Sequence, residues 1–191
     1  MHHPLYVRIT HWINAFAVLL MIGSGWKIYN AAPLFSFTLP ERLTIGRWLG
    51  GALLWHFAAM WLLVANGVIY LVLAGATGRL SRVLLPLRPR EVLADLTAAV
   101  RGRLLHTGSA YNAIQKLLYL GVLAAGLLIV ASGLAIWKPV QLRPLTALMG
   151  GYEGARLVHF FAMAAIVAFL GVHVVMALLV PRALRAMTLG R

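Results

Sequence analysis

Four long apolar stretches, roughly Ile9–Tyr29, Trp48–Ala74, Ile114–Trp137 and Ala155–Val180, constrain this chain more than anything else in it. Each is long enough to cross a hydrocarbon core of ~30 Å, which takes about 20 helical residues. They are continuously apolar and do not alternate. Helices are therefore expected rather than barrel strands, since a helix satisfies its own backbone hydrogen bonds in lipid. With 62% hydrophobic residues among 191, the chain does not suit a water-exposed domain. The expected fold is all-α: one domain over residues 1–191, a four-helix transmembrane bundle running up-down-up-down. The first stretch carries His11, Trp12 and Asn14 and lacks a small-residue cleavage site, so it is expected to be a retained helix and not a signal peptide.

The charge balance orients this bundle. Lysine and arginine number 17 against 4 acidic residues, a net +13. If the N-terminus is inside, the internal segments hold ten arginines, among them Arg8, Arg79, Arg82 and Arg185, with Lys116 at the membrane edge. The two external loops hold six basic residues: Lys27, Arg42, Arg47, Lys138, Arg143 and Arg156. By the positive-inside rule both termini are expected on the cytoplasmic side of the membrane. The basicity then serves topology and anionic lipid and not nucleic acid. Within the internal loop, Arg90 to Leu104 has Val92, Leu93, Leu96, Val100 and Leu104 at helical spacing. This predicts a short helix, either amphipathic on the membrane surface or packed as an ordinary loop helix.

Ionisable groups inside a membrane are costly and usually functional. Here they are histidines. His159 and His173 lie fourteen residues apart on the last stretch, nearly four full turns, so they share a face about 21 Å apart along the axis. His11 lies near the inner end of helix 1 and His56 about two turns into helix 2 from outside. Paired by depth, His56 joins His159 on the outer side and His11 joins His173 on the inner side, with none left over. That is the arrangement expected of two haems, each with two axial imidazoles. The absence of cysteine excludes thiolate-ligated iron–sulfur clusters and covalent c-type haem, leaving haem b. Zinc or di-iron sites need clustered ligands, often carboxylates. All four acids, Glu41, Glu91, Asp95 and Glu153, fall in loops or near interfaces.

Two glycines fit the same scheme. Gly67 follows His56 by three turns, and Gly25 follows His11 by nearly four. Each helix with one histidine thus has a glycine at the level of the other haem, where a porphyrin edge needs a surface without a side chain. Gly121, Gly126 and Gly133 read as ordinary small residues for helix packing. At the inner start of helix 3, Asn112 and Gln115 share a face. Their amides can donate to a quinone carbonyl and accept from a quinol hydroxyl, or they cap and anchor the helix. His2 and His3 read as a frayed terminus, His106 as a solvated loop histidine.

The stretch Arg8-Ile9-Thr10-His11-Trp12, His56, the run Tyr111-Asn112-Ala113-Ile114-Gln115-Lys116 and the His159/His173 pair together resemble the b-type cytochrome subunits of membrane formate dehydrogenases and nickel–iron hydrogenases, and the related bacterial cytochrome b561 proteins. The resemblance covers essentially the whole chain. In the formate dehydrogenase branch a glycine typically precedes the glutamine, where this chain has Ile114. The resemblance implies two haems b carrying electrons between a periplasmic redox partner and quinone, with Asn112, Gln115 and the surroundings of His173 at the quinone. The expected partners are a molybdenum enzyme, a hydrogenase or a cytochrome c. The alternatives are a stand-alone quinol-oxidising cytochrome reacting with superoxide or another small external molecule, and a haem-free scaffold or small transporter.

Overall fold

The computed structural model describes residues 4–78, 88–100 and 113–190. Four long helices dominate: α1 (Leu5–Ala31), α2 (Leu49–Ala76), α4 (Ala113–Trp137) and α6 (Gly151–Leu179). Three short ones join them: α3 (Pro89–Val100), α5 (Arg143–Leu148) and α7 (Pro181–Thr188). No strand occurs among the described residues. The four long helices are each long and apolar enough to cross a membrane. At 25 to 29 residues they reach roughly 38 to 44 Å, more than a bilayer core requires. The helices fall into two compact units. One holds α1, most of α2 and α7; the other holds the last turn of α2 with α3 to α6.

Helix boundaries depart from the sequence reading most at the N-termini of α1 and α6. α1 begins at Leu5 and α6 at Gly151, each four residues before the apolar stretch. Hydrophobicity marks the part of a helix that lies in lipid, whereas hydrogen bonding continues through a polar end. At α1 the carbonyl of Pro4 accepts the first bonds, from Val7 and Arg8. At α6 the first turn carries Glu153, an acid at the positive end of the helix dipole, which pairs with Arg156 at 2.8 Å. Gly150 and Gly151 precede it at φ +84° and +85°, a left-handed turn that a side chain disfavours. α6 stops at Val180, held extended by Pro181. α3 covers most of the segment anticipated from Arg90 to Leu104 and lies against α4; residues 101–104 lie outside the described set.

The interior is made of small side chains and the accessible faces of large ones. Ala17, Ala52, Ala59, Ala135, Ala155, Ser24 and Ser132 are all but completely buried. Phe16, Leu54, Trp61, Leu127, Phe161 and Leu179 are each at least 59% accessible. This reverses the pattern of a water-soluble protein. Lipid tails solvate large apolar groups, so helix contacts form where small residues let backbones approach.

In the first unit, the 32–48 segment folds back on α1. The Asn30 amide brackets Leu39, donating to its carbonyl and accepting from its N–H, both at 2.8 Å. The hydroxyl of buried Tyr29 donates to the Phe37 carbonyl, and the Ile45 N–H to the Gly23 carbonyl, each at 3.0 Å. Gly23 leaves room for the Ile45 side chain, which would lie 2.7 Å from any Cβ at that position. α7 docks on the start of α1: Arg8 donates to the Met187 and Thr188 carbonyls, and the Trp12 indole N–H to the Met187 carbonyl at 3.2 Å. In the second unit, α4 and α6 form the main contact. Thr146 on α5 donates toward the carbonyls of Ala135 and Leu142, both at 3.2 Å, which pins α5 to the end of α4.

Candidate functional site

His56 lies on α2 against the C-terminal half of α1. Its Nδ1 is 3.0 Å from the Ser24 hydroxyl oxygen. A serine hydroxyl has a single hydrogen. That of Ser24 is directed back along its own helix to the Leu20 carbonyl at 2.6 Å. With that hydrogen so directed, the oxygen accepts toward His56, which places the imidazole proton on Nδ1 and leaves Nε2 unprotonated. The neighbouring Gly25 opens space for the ring: a Cβ there would lie 3.4 Å from His56 Cε1.

The second unit repeats this arrangement on different helices. His159 on α6 has its Nδ1 3.0 Å from the hydroxyl of Ser132 on α4. Ser132 donates to the Leu128 carbonyl at 2.8 Å. Gly133 follows, and a Cβ there would lie 3.3 Å from His159 Cε1. Both serines are fully buried. A Ser-Gly pair on one helix thus faces a histidine on the next in each unit, and in each the hydroxyl meets the same ring nitrogen, Nδ1.

The other two histidines sit among aromatics. The His11 ring meets Trp12 edge-on, centroids 5.1 Å apart at 89°. Asn66 on α2 grips α1 on either side of His11, donating to the Thr10 carbonyl at 2.7 Å and to the Asn14 side-chain Oδ1 at 2.6 Å. His173 stacks on Phe169 one turn earlier, 5.6 Å apart and 13° from parallel. Gln115 stands half-buried in the first turn of α4, while Asn112 lies outside the described residues. The two anticipated glycines differ. Gly25 abuts the His56 imidazole, whereas a Cβ at Gly67 would meet nothing within 4 Å.

Ser24 and Ser132 escaped the sequence reading, and Gly133 was read there only as a packing residue. A serine inside an apolar helix looks like any small packing residue. The one available signal was the dipeptide Ser-Gly recurring on two helices, Ser24-Gly25 and Ser132-Gly133. Among the described residues no three histidine, acidic or cysteine side chains gather as a metal-binding cluster. What His56 and His159 present is an imidazole held at Nδ1, which puts the ligating lone pair on Nε2. This donor set fits haem iron, for which a ligating histidine characteristically donates its other N–H to a neighbour.

Residues 2–190 match the family described as prokaryotic cytochrome b561. The chain belongs to that family. It is also 52% identical, over 189 residues, to the putative protein-methionine-sulfoxide reductase subunit YedZ1 of Azospira oryzae, covering 98% of this chain and 96% of the relative. The family resemblance seen in the sequence is thereby borne out. The protein is a multi-pass inner-membrane cytochrome of the b type, an electron-transfer subunit, and b-type haem is the cofactor that the family implies.

Proposed function

We propose that this cytochrome holds two haems b, the outer between His56 and His159 and the inner between His11 and His173, and moves electrons between quinone and a redox enzyme outside the membrane. The observation that carries the reading is the repeated serine–histidine pair: two histidines on separate helices, each with Nδ1 3.0 Å from a buried serine hydroxyl, the anchoring that favours Nε2 as the ligating nitrogen. The depth pairing follows from helical spacing alone, with both termini inside. Haem, when bound, supplies the one-electron redox chemistry. The residues' own tasks are to present neutral imidazoles at two depths and to exclude water.

The relative's name specifies a class of partner, a protein-methionine-sulfoxide reductase. The stoichiometries agree. Reduction of a sulfoxide to a sulfide takes up two electrons and two protons and releases water. Oxidation of a quinol to a quinone releases two electrons and two protons. Electrons therefore run from quinol at the inner end, beside Asn112, Gln115 and His173, to the external reductase. A name that calls the relative a subunit favours this over a cytochrome acting alone on superoxide, and over a hydrogenase or cytochrome c partner.

The test is haem content and spectrum of the purified chain. Two haems per chain, low-spin when reduced and extractable by acid acetone, are expected. His56→Ala and His159→Ala should abolish the same redox transition, and His11→Ala and His173→Ala the other. One haem per chain, or a high-spin iron, overturns the two bis-histidine sites.

A further inference from the structure

We infer that Ser24 and Ser132 are positioning residues that fix the tautomer of both outer histidines and lower the reduction potential at that pair. The inference deepens the proposed function and rests on its assignment of His56 and His159 to one haem.

The argument starts from the hydroxyl. Each serine spends its only hydrogen on a carbonyl of its own helix, Leu20 at 2.6 Å and Leu128 at 2.8 Å. It is thereby fixed as an acceptor toward the ring, and its rotation is restrained. The imidazole N–H that it accepts, over 3.0 Å in both cases, is held in turn. Two consequences follow. The ring nitrogen that faces away is always the unprotonated one, so the ligand needs no change of tautomer to bind iron. The hydrogen bond also draws the Nδ1 proton outward and makes the imidazole a stronger electron donor. A stronger donor favours the oxidised iron, which carries one more positive charge. Both effects act in a buried setting, since the two serines are wholly inaccessible. There a hydrogen bond is electrostatically stronger than in water.

The glycine after each serine belongs to the same device. A side chain at Gly133 would press the His159 ring at 3.3 Å, and one at Gly25 would touch the His56 ring at 3.4 Å. With glycine there, the ring slides over the helix backbone far enough to reach the serine. That the same Ser-Gly and histidine geometry arises in both units, at sequence separations of 32 and 27 residues, marks it as a requirement of the ligand and not an accident of one contact.

Potentiometric titration of the holoprotein tests this. Ser24→Ala and Ser132→Ala should each raise the midpoint of the same one of the two haem transitions. Removing one hydrogen bond of ~1 kcal/mol shifts the reduction equilibrium roughly three- to tenfold. At 59 mV per tenfold for one electron, that is about 30 to 60 mV. The double variant should shift further, and Ser24→Thr, which keeps a hydroxyl, should stay near wild type. Thr146→Ala removes another buried hydroxyl, one bonded to the carbonyls of Ala135 and Leu142 and not to a histidine, and should leave both midpoints unchanged. If an alanine variant instead loses haem, the loss should be confined to one haem and be reversed by threonine. Unchanged midpoints in both alanine variants, or an equal shift of both haems, overturn the inference. If Ser24→Ala and Ser132→Ala move different transitions, the serines act as inferred and it is the pairing of His56 with His159 that fails.

Discussion

A single hydroxyl decides which nitrogen of a histidine is available, and a single missing methyl decides whether the ring can reach it. Four glycines of the long helices show both cases. Gly25 and Gly133 sit against imidazoles, while Gly67 and Gly126 face space with no atom within 4 Å of a Cβ. Gly→Ala inside a helix ordinarily stabilises by about 0.5–1 kcal/mol, because alanine loses less backbone freedom on folding. Gly126→Ala should therefore raise thermal stability slightly and keep both haems. Gly67→Ala should show the same gain in apoprotein, yet lower haem retention several-fold if a porphyrin edge passes that position. Haem content after gel filtration and the melting temperature of both forms separate these outcomes. Equal haem content in Gly67→Ala and Gly126→Ala would remove Gly67 from the haem contact.

At the scale of the elements, the 32–48 segment behaves as a clasp on the end of α1. Lys27 meets Glu41 at 2.6 Å, and the ammonium's hydrogen bond and charge, aided by Asn30 and Thr44, hold the Glu41 carboxyl below its ordinary value of 4.5. A carboxylate whose folded value is depressed contributes stability above its unfolded value. That contribution is lost as pH falls through the lower folded value. The clasp should thus be intact at neutral pH and loosen only on acidification below about 4.5. Hydrogen exchange of the Leu39 and Ile45 amides, which are bonded to Asn30 and Gly23, reads it directly. Both amides should exchange faster on acidification than the intrinsic rate accounts for. Glu41→Gln should exchange faster already at neutral pH and lose the acid-dependent step; an unchanged profile in that variant would locate the pH response elsewhere.

For the whole molecule, the proposed function turns on where quinone would meet the electron path. Gln115 lies in the first turn of α4, and Asn112 precedes that helix in the sequence, at the end that the charge distribution assigns to the cytoplasm. A hydroxyquinoline inhibitor should perturb the spectrum of the inner haem and leave the outer one untouched. Asn112→Leu and Gln115→Leu should slow quinol oxidation several-fold, since each removes a hydrogen bond of ~1 kcal/mol net to the quinone oxygens. Both haems should remain bound. Loss of haem and helix content together would mean that these amides serve as a helix cap. Unaltered quinol kinetics in both variants would move the site to the outer haem, near Trp26 and Trp137.

The four long helices, their apolar character, the four histidines and the family are all legible in the sequence. The reason is that they rest on local properties: the length of an apolar run, the 3.6-residue period that puts His159 and His173 on one face, the offset of Gly67 from His56. α5 and α7, at 6 and 8 residues, carry too few residues for any period to show. The partners of the histidines were illegible for a different reason. Ser24 meets His56 and Ser132 meets His159 only because two helices turn particular faces to each other, and no run of neighbouring residues encodes that rotation. The same holds for Arg8 and Trp12, which reach the carbonyl of Met187 across 179 and 175 positions. Such contacts are settled when small side chains on α1, α2, α4 and α6 let the helices close, and only the folded chain shows which atoms then fall within reach.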